Sequence, residues 1–410
     1  MKSSSTKRPS ALQARSTLAA IVALTAIGGS VLAAPFTSFT QGDIVVSRLG
    51  DGAALPANGT GAAIFLDEYT TSGAFVGTLS SPISTTDTTG LVDSYTAGSE
   101  GALTLSADGK YLTIVGYHAA IGTTGVAAAA GLTRGVALIN AAGVVDVSTS
   151  LTQATTYGAN NIRSAVTTNG TDLFLTGNGA TGTAGVRTAV VGGTTSTQLN
   201  NGDATPTTNT RVANLFGGDL YFSTGAGTVT SPQGIYKVGT GASTTTGQTT
   251  ALTAADPAGS PYDFFFANAT TLFVADDRTS TTATGAGGLL QYVNSGSGFV
   301  LTNTYNLAGA TTGTTAGLRG LTGSATDLFA ISSDNRLVDF NLSSTSFTTL
   351  ATAATNTNFR GVDFAPNSNT LPAAAPEPSQ VAGLGFFAFG LGGVILKARR
   401  KRSTASVSAR

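Results

Sequence analysis

Five short apolar pairs recur along the 410-residue chain at a spacing that few architectures can satisfy. Tyr111-Leu112, Leu173-Phe174, Leu220-Tyr221, Leu272-Phe273 and Leu328-Phe329 each sit in a brief hydrophobic run. From Leu112 through Phe174, Tyr221 and Phe273 to Phe329 the intervals are 62, 47, 52 and 56 residues. A period of about 50 residues with four strand-like runs per unit is the pattern of propeller blades, each too small to bury its apolar faces alone.

The unit around Leu173 shows the pattern: residues 162–168, 172–176, 186–191 and 195–199 read as its four strands. Third and fourth strands follow in the other units at 136–140 with 144–148, 234–238 with 246–252, 289–294 with 299–306, and 337–342 with 347–350. Ala141-Ala142-Gly143, Ser295-Gly296-Ser297-Gly298 and Ser106-Ala107-Asp108-Gly109 supply turn residues that accept positive φ. The ends complement each other. Residues 360–364 look like a first strand with no blade after it, whereas 43–49, 62–69 and 74–80 give three strands and no first one. The C-terminal strand is therefore expected to complete the N-terminal blade, which makes about six four-stranded blades and leaves no free sheet edge. A seven-bladed ring or a β-helix stays open because the 62-residue interval is long; an Ala- and Gly-rich insertion at 119–132 accounts for the excess.

Composition narrows the chemistry. No cysteine occurs, so disulfides, thiol catalysis and thiolate metal sites are excluded, and His118 is the single histidine, so no histidine-built zinc site exists. The overall charge of zero averages unlike parts: ten of 21 basic residues lie near the ends, while residues 34–375 hold 11 positive and 20 negative charges, a balance of −9. A body of that sign is unsuited to nucleic acid, since phosphate binding needs a positive field.

Both ends read as targeting segments. Lys2, Lys7, Arg8 and Arg15 precede an apolar stretch at 18–27 and the small-residue run 30–34, a secretory leader with cleavage expected after Ala33. At the other end Pro376-Glu377-Pro378-Ser379 precedes 16 residues of apolar character at 381–396, followed by Lys397, Arg399, Arg400, Lys401 and Arg402. Sixteen residues make a helix of about 24 Å, somewhat short of a hydrocarbon core, a gap that snorkelling cations close. The basic cluster places that end in the cytoplasm and the body outside. The expected organisation is a leader at 1–33, a propeller-like body at 34–370, a linker at 371–380, a transmembrane helix at 381–396 and a basic cytoplasmic tail at 397–410.

Pro-Glu-Pro, apolar span and arginine-rich tail, in that order, resemble the PEP-CTERM sorting signal of bacterial exported proteins. The resemblance covers only residues 376–402. It implies processing by a membrane-embedded exosortase, after transient anchoring in the inner membrane, in an organism that makes extracellular polysaccharide. It says where such a protein goes rather than what it does there.

Aligning the first strands puts Glu100, Arg163, Arg211, Tyr262, Arg319 and Arg360 at one equivalent position. First strands line the channel of a propeller, so four arginines there predict a polar ring near one mouth, able to hold a carboxylate or sulfate by bidentate pairs; the same arginines would otherwise pair with Asp or cap carbonyls. Asp276-Asp277 and Asp67-Glu68 are the densest acidic pairs and the places where calcium would sit, although neither has an EF-hand spacing. His118 stands at a strand end, Ser243 to Thr246 offer hydroxyls for O-glycans, and no phosphate loop or catalytic carboxylate spacing stands out. The sequence therefore reads as an exported binding or structural protein without a cofactor, partnered by the exosortase and by extracellular polysaccharide. A calcium-dependent phosphoesterase or lactonase is the alternative.

Overall fold

The computed structural model describes Met1 and residues 36–367, apart from 37, 55, 80–81, 226–231, 257–258 and 281–286. The leader with Ala33, the Pro376-Glu377-Pro378 motif, the 381–396 span and the basic tail lie outside the described residues. Among the described residues every regular element is a strand, and no helix is long and apolar enough to cross a membrane.

The first eight strands are β1 (Ile44–Leu49), β2 (Gly61–Tyr69), β3 (Phe75–Thr78), β4 (Leu91–Ser94), β5 (Thr104–Leu105), β6 (Tyr111–His118), β7 (Arg134–Asn140) and β8 (Val145–Leu151). Three four-stranded antiparallel sheets follow. One holds β9 (Ile162–Thr167), β10 (Asp172–Gly177), β11 (Arg187–Val190) and β12 (Thr197–Gln198); the next holds β13 (Thr210–Phe216), β14 (Asp219–Thr224), β15 (Gly234–Val238) and β16 (Thr250–Ala255); the third holds β17 (Pro261–Asn268), β18 (Thr271–Asp276), β19 (Gly288–Asn294) and β20 (Phe299–Tyr305). After a small hairpin of β21 (Leu307–Ala308) and β22 (Thr315–Ala316) comes a fourth such sheet of β23 (Leu318–Gly323), β24 (Asp327–Ser332), β25 (Arg336–Asn341) and β26 (Ser346–Thr352), and the chain's last strand is β27 (Asn358–Phe364).

The result is a propeller-like arrangement, with one correction to the expected count of about six four-stranded blades. Four blades are independent four-stranded sheets, while β27 joins the first eight strands in a nine-stranded sheet ordered β27-β1-β2-β4-β6-β7-β8, with β3 on β2 and β5 on β6. The cause is β4, which pairs with β2 on one side and β6 on the other. Glycines make room for it: a Cβ on Gly61 would lie 2.6 Å from Val92 Cγ2, and one on Gly116 2.6 Å from the Val92 carbonyl oxygen. The closing strand is where the complementary ends place it, antiparallel to β1 with Ile44 opposite Phe364 and Leu49 opposite Asn358.

Burial explains the repeat. Leu112, Leu173, Leu220, Leu272 and Leu328 are all 1% exposed or less, so the recurring pairs mark second strands packed between neighbouring sheets. Val166 and Phe174 of one sheet meet Ala213, Leu220 and Phe222 of the next, and Phe273 and Leu289 meet Leu321 and Leu328. Fourth strands face water: β20 is largely exposed along its length, while every residue of β9 is buried. The insertion at 119–132 is docked rather than loose, because Val126 is fully buried and its N–H donates to the Gly59 carbonyl.

Candidate functional site

First strands neighbour one another in a closed circuit of β27, β5, β9, β13, β17 and β23. Their N-terminal ends converge, which brings the aligned residues together. Tyr262, the second residue of β17, lies among them with its hydroxyl donating to the Gly98 carbonyl at 2.6 Å. Arg211, the second residue of β13, stands over the Tyr262 ring with Cζ 5.0 Å from the centroid. Burial pushes the Tyr262 hydroxyl up to about 12, and the fields of Arg211, Arg319, Arg163 and Arg360 all pull the other way. Four guanidinium groups from four sheets thus act on one phenol.

Their partners divide them. Arg163, 8% exposed, donates to Asn209 Oδ1 and to the Thr210 carbonyl at 3.1 Å, and Arg360, 6% exposed, donates to the Tyr95 carbonyl at 2.5 Å. Arg163 fastens the start of β9 to that of β13, and Arg360 fastens the start of β27 to the turn after β4. Arg211 Nη1 donates to the carbonyls of Ser260 and Pro261 and to the Ser260 hydroxyl, each within 3.0–3.1 Å. Its ion pair with Asp277 is long at 3.7 Å, and Arg319 reaches the other oxygen of Asp277 at 3.6 Å. Arg211, Arg319 and Asp277 keep side-chain exposures of 15%, 26% and 20%, so this trio is the part of the mouth that touches solvent. The buried Nε–H groups of Arg163, Arg319 and Arg360 have no hydrogen-bond acceptor. Burial lowers the pKa of Arg163 and Arg360, and each also feels a neighbouring guanidinium, Arg211 and Arg319 respectively. They remain cations, since guanidinium titrates far above neutrality.

Glu100, the acidic member of the aligned set, serves a different purpose from the arginines. Its carboxylate accepts from the Ser94 N–H at 2.9 Å, the Tyr117 hydroxyl at 2.6 Å and the Asn161 amide. Beside it is Asp93 of β4, 1% exposed, whose carboxyl is held well above the usual range by burial and by Glu100, with Arg360 opposing. Sequence reasoning missed Asp93 because β4 is a four-residue strand behind a Ser- and Thr-rich stretch. Arg134 is the other omission. It is fully buried, lies over Tyr117 with Cζ 5.4 Å from the ring, and donates to the carbonyls of Leu132, Ala127, Gly158 and Asn160 without a carboxylate partner.

The remaining sequence candidates do not assemble. Asp67 forms a bidentate pair with Arg48 at 2.5 and 3.1 Å and accepts from Thr78, while adjacent Glu68 accepts from the Thr40 N–H at 2.6 Å. Successive residues of a strand point to opposite faces, so the two acids cannot share an ion. Asp276 is engaged by Arg278 and the Ser260 N–H, apart from the role of Asp277 between two arginines. Among the described residues no group of three or more His, Asp or Glu side chains is placed to hold a metal. His118 Nε2 lies 3.1 Å from the Thr149 carbonyl, a cross-strand brace, and Thr244 to Thr246 are exposed in the β15–β16 loop.

No protein-family model matches the chain, and no curated protein matches it. Among solved structures it is similar to one described as a "putative 6-phosphogluconolactonase" from Bacteroides uniformis, at 12% identity over 76% of this chain and 82% of that one, with a TM-score of 0.42. A superposition that loose transfers neither a topology nor an activity.

Proposed function

We propose that this is an exported surface or matrix protein whose arginine-lined mouth binds an anionic group, a carboxylate or sulfate on extracellular polysaccharide. The observation that carries the reading is the convergence of Arg163, Arg211, Arg319 and Arg360 around Tyr262, with Arg211 and Arg319 partly exposed at the mouth. Arg163 and Arg360 hold the mouth in shape. Arg211 and Arg319 are the groups that meet the ligand, because their contacts to Asp277 exceed hydrogen-bond length and an incoming carboxylate at about 2.8 Å is the better partner. In a body of charge −9 such binding is local to the mouth.

Export and sorting rest on the leader and on the Pro376-Glu377-Pro378 signal, with exosortase processing in the inner membrane and delivery to the cell surface or medium. The test is binding of the exported protein, purified from culture, to a polyuronate and to a sulfated glycan across a salt series. Binding that weakens as salt rises, and falls at least tenfold in the Arg211→Ala/Arg319→Ala double variant, supports the reading. A double variant that binds both glycans like the parent sinks it.

A further inference from the structure

The C-terminal ends of the same first strands enclose a second site. Every strand of the circuit except β5 carries its arginine or tyrosine near its start, so its last residues lie four to six positions on, about 13–20 Å away along the channel. There a cavity of about 540 Å³ is lined by Phe216 of β13, Phe265 and Phe266 of β17, Asp363 and Phe364 of β27, and Asn367, among others. No lysine or arginine lines it.

Its chemistry is opposite to that of the arginine mouth. Phe265 is half-buried with its ring beside Gly323, whereas Phe266, the next residue of β17, turns to the other face and stacks on Phe216 at 4.5 Å. Asp363 already has three donors of the protein's own, the Thr322 hydroxyl at 2.8 Å, the Phe364 N–H at 2.8 Å and the Leu105 N–H at 2.6 Å, so its charge needs no counter-ion from a ligand. Asn367 is 4% exposed and its side-chain oxygen has no hydrogen-bond partner. A buried amide oxygen left unpaired is destabilising, so a ligand group that donates to it is favoured. The cavity therefore offers acceptors beside aromatic faces and repels anions. Hydroxyl groups spread around a ring with apolar C–H faces fill both demands, and 540 Å³ holds such a ring with space to spare.

We propose that this cavity is a binding site for a neutral pyranose unit, stacked on the Phe265 ring with a hydroxyl donating to the Asn367 amide oxygen and another meeting Asp363. The site is independent of the anion mouth, and the two ideas fail separately.

The experiment is calorimetric titration of the exported protein with glucose, galactose, mannose and their short neutral oligomers at low and high salt. The expected result is saturable binding of at least one, indifferent to salt and unchanged by Arg319→Ala, and weakened tenfold or more by Asn367→Ala and by Phe265→Ala. Loss of affinity for one monodeoxy analogue of the bound sugar gives the same answer without altering the protein, should a variant misfold. No heat from any neutral sugar up to about 10 mM, a Kd limit of about 3 kcal/mol, overturns the proposal. So does sugar binding that survives both cavity substitutions or disappears with Arg319→Ala.

Discussion

Shaving Phe359 to alanine measures what ring closure contributes. Phe359 sits on β27, the last strand, and is 3% exposed among Ile44 and Val46 of β1, Phe329 and Ile331 of β24, and Tyr69 of β2, which meets it edge-on at 6.2 Å. It thus joins the two chain ends and the neighbouring blade at one seam. Truncating a buried phenylalanine removes its transfer energy and leaves a cavity, together about 3–5 kcal/mol. With a urea slope of about 3 kcal/mol/M, the midpoint of Phe359→Ala should fall by about 1–1.7 M. Val300→Ala on the outer strand β20, where Val300 is 60% exposed, is the control and should stay within about 0.2 M of the parent, the equivalent of about 0.5 kcal/mol. Far-ultraviolet circular dichroism in urea reports both. An unchanged slope would mean the seam melts with the whole body, and a second, earlier transition would mean β27 detaches alone. If Phe359→Ala and Val300→Ala move the midpoint equally, β27 does not close the ring and the argument from complementary ends fails.

Replacing Arg134 by methionine strands four carbonyl oxygens and, at about 1–3 kcal/mol for a buried acceptor left unpaired, should lower the midpoint and ease proteolysis in the 119–132 insertion that Arg134 pins. Stability should also fall as pH rises from about 4 to 8. Burial holds Asp93 and Asp263 well above the usual carboxyl range and brings Asp256 to about 7 and Asp363 to about 6. An acid whose folded pKa is raised keeps its proton longer in the folded state, so its contribution is intact below the unfolded value and is lost as pH passes the folded one. The melting temperature should therefore be lower at pH 8 than at pH 5, and Asp256→Asn should flatten the slope; a flat or rising profile across that window contradicts it. Opposed to these, Asp276 and Asp334 titrate below the usual range because of Arg278 and Arg336, and their contribution disappears only in stronger acid. Finally, the intact mass of the exported form should lack residues 386–410, and retention of that segment refutes processing at the Pro-Glu-Pro signal.

Much of the strand layout was legible because side-chain pattern and turn chemistry are local. The spans read at 234–238 and at 289–294 fall within a residue of β15 and β19, and the closing strand emerged from counting which unit lacked a first strand. The outer strand read at 246–252 is displaced to Thr250–Ala255, since an exposed fourth strand carries little hydrophobic signal to fix its register. β4 left no trace: Leu91–Ser94 is too short for periodicity, and the glycines that admit it lie in other strands.

By itself, then, the sequence determined the all-β class, the repeat and the alignment of four arginines, because each depends on spacing along the chain. Only the tertiary structure decided that four blades stand alone while nine strands fuse, since this depends on whether β4 finds two free edges in space. It alone decided that Arg163 and Arg360 are buried against backbone carbonyls, while Arg319 and Arg211, the latter also held by the Ser260 and Pro261 carbonyls, reach solvent across Asp277. And it alone brought Phe216, Phe265, Asp363 and Asn367 around one cavity, because a pocket is a property of strand ends that meet only when the ring is closed.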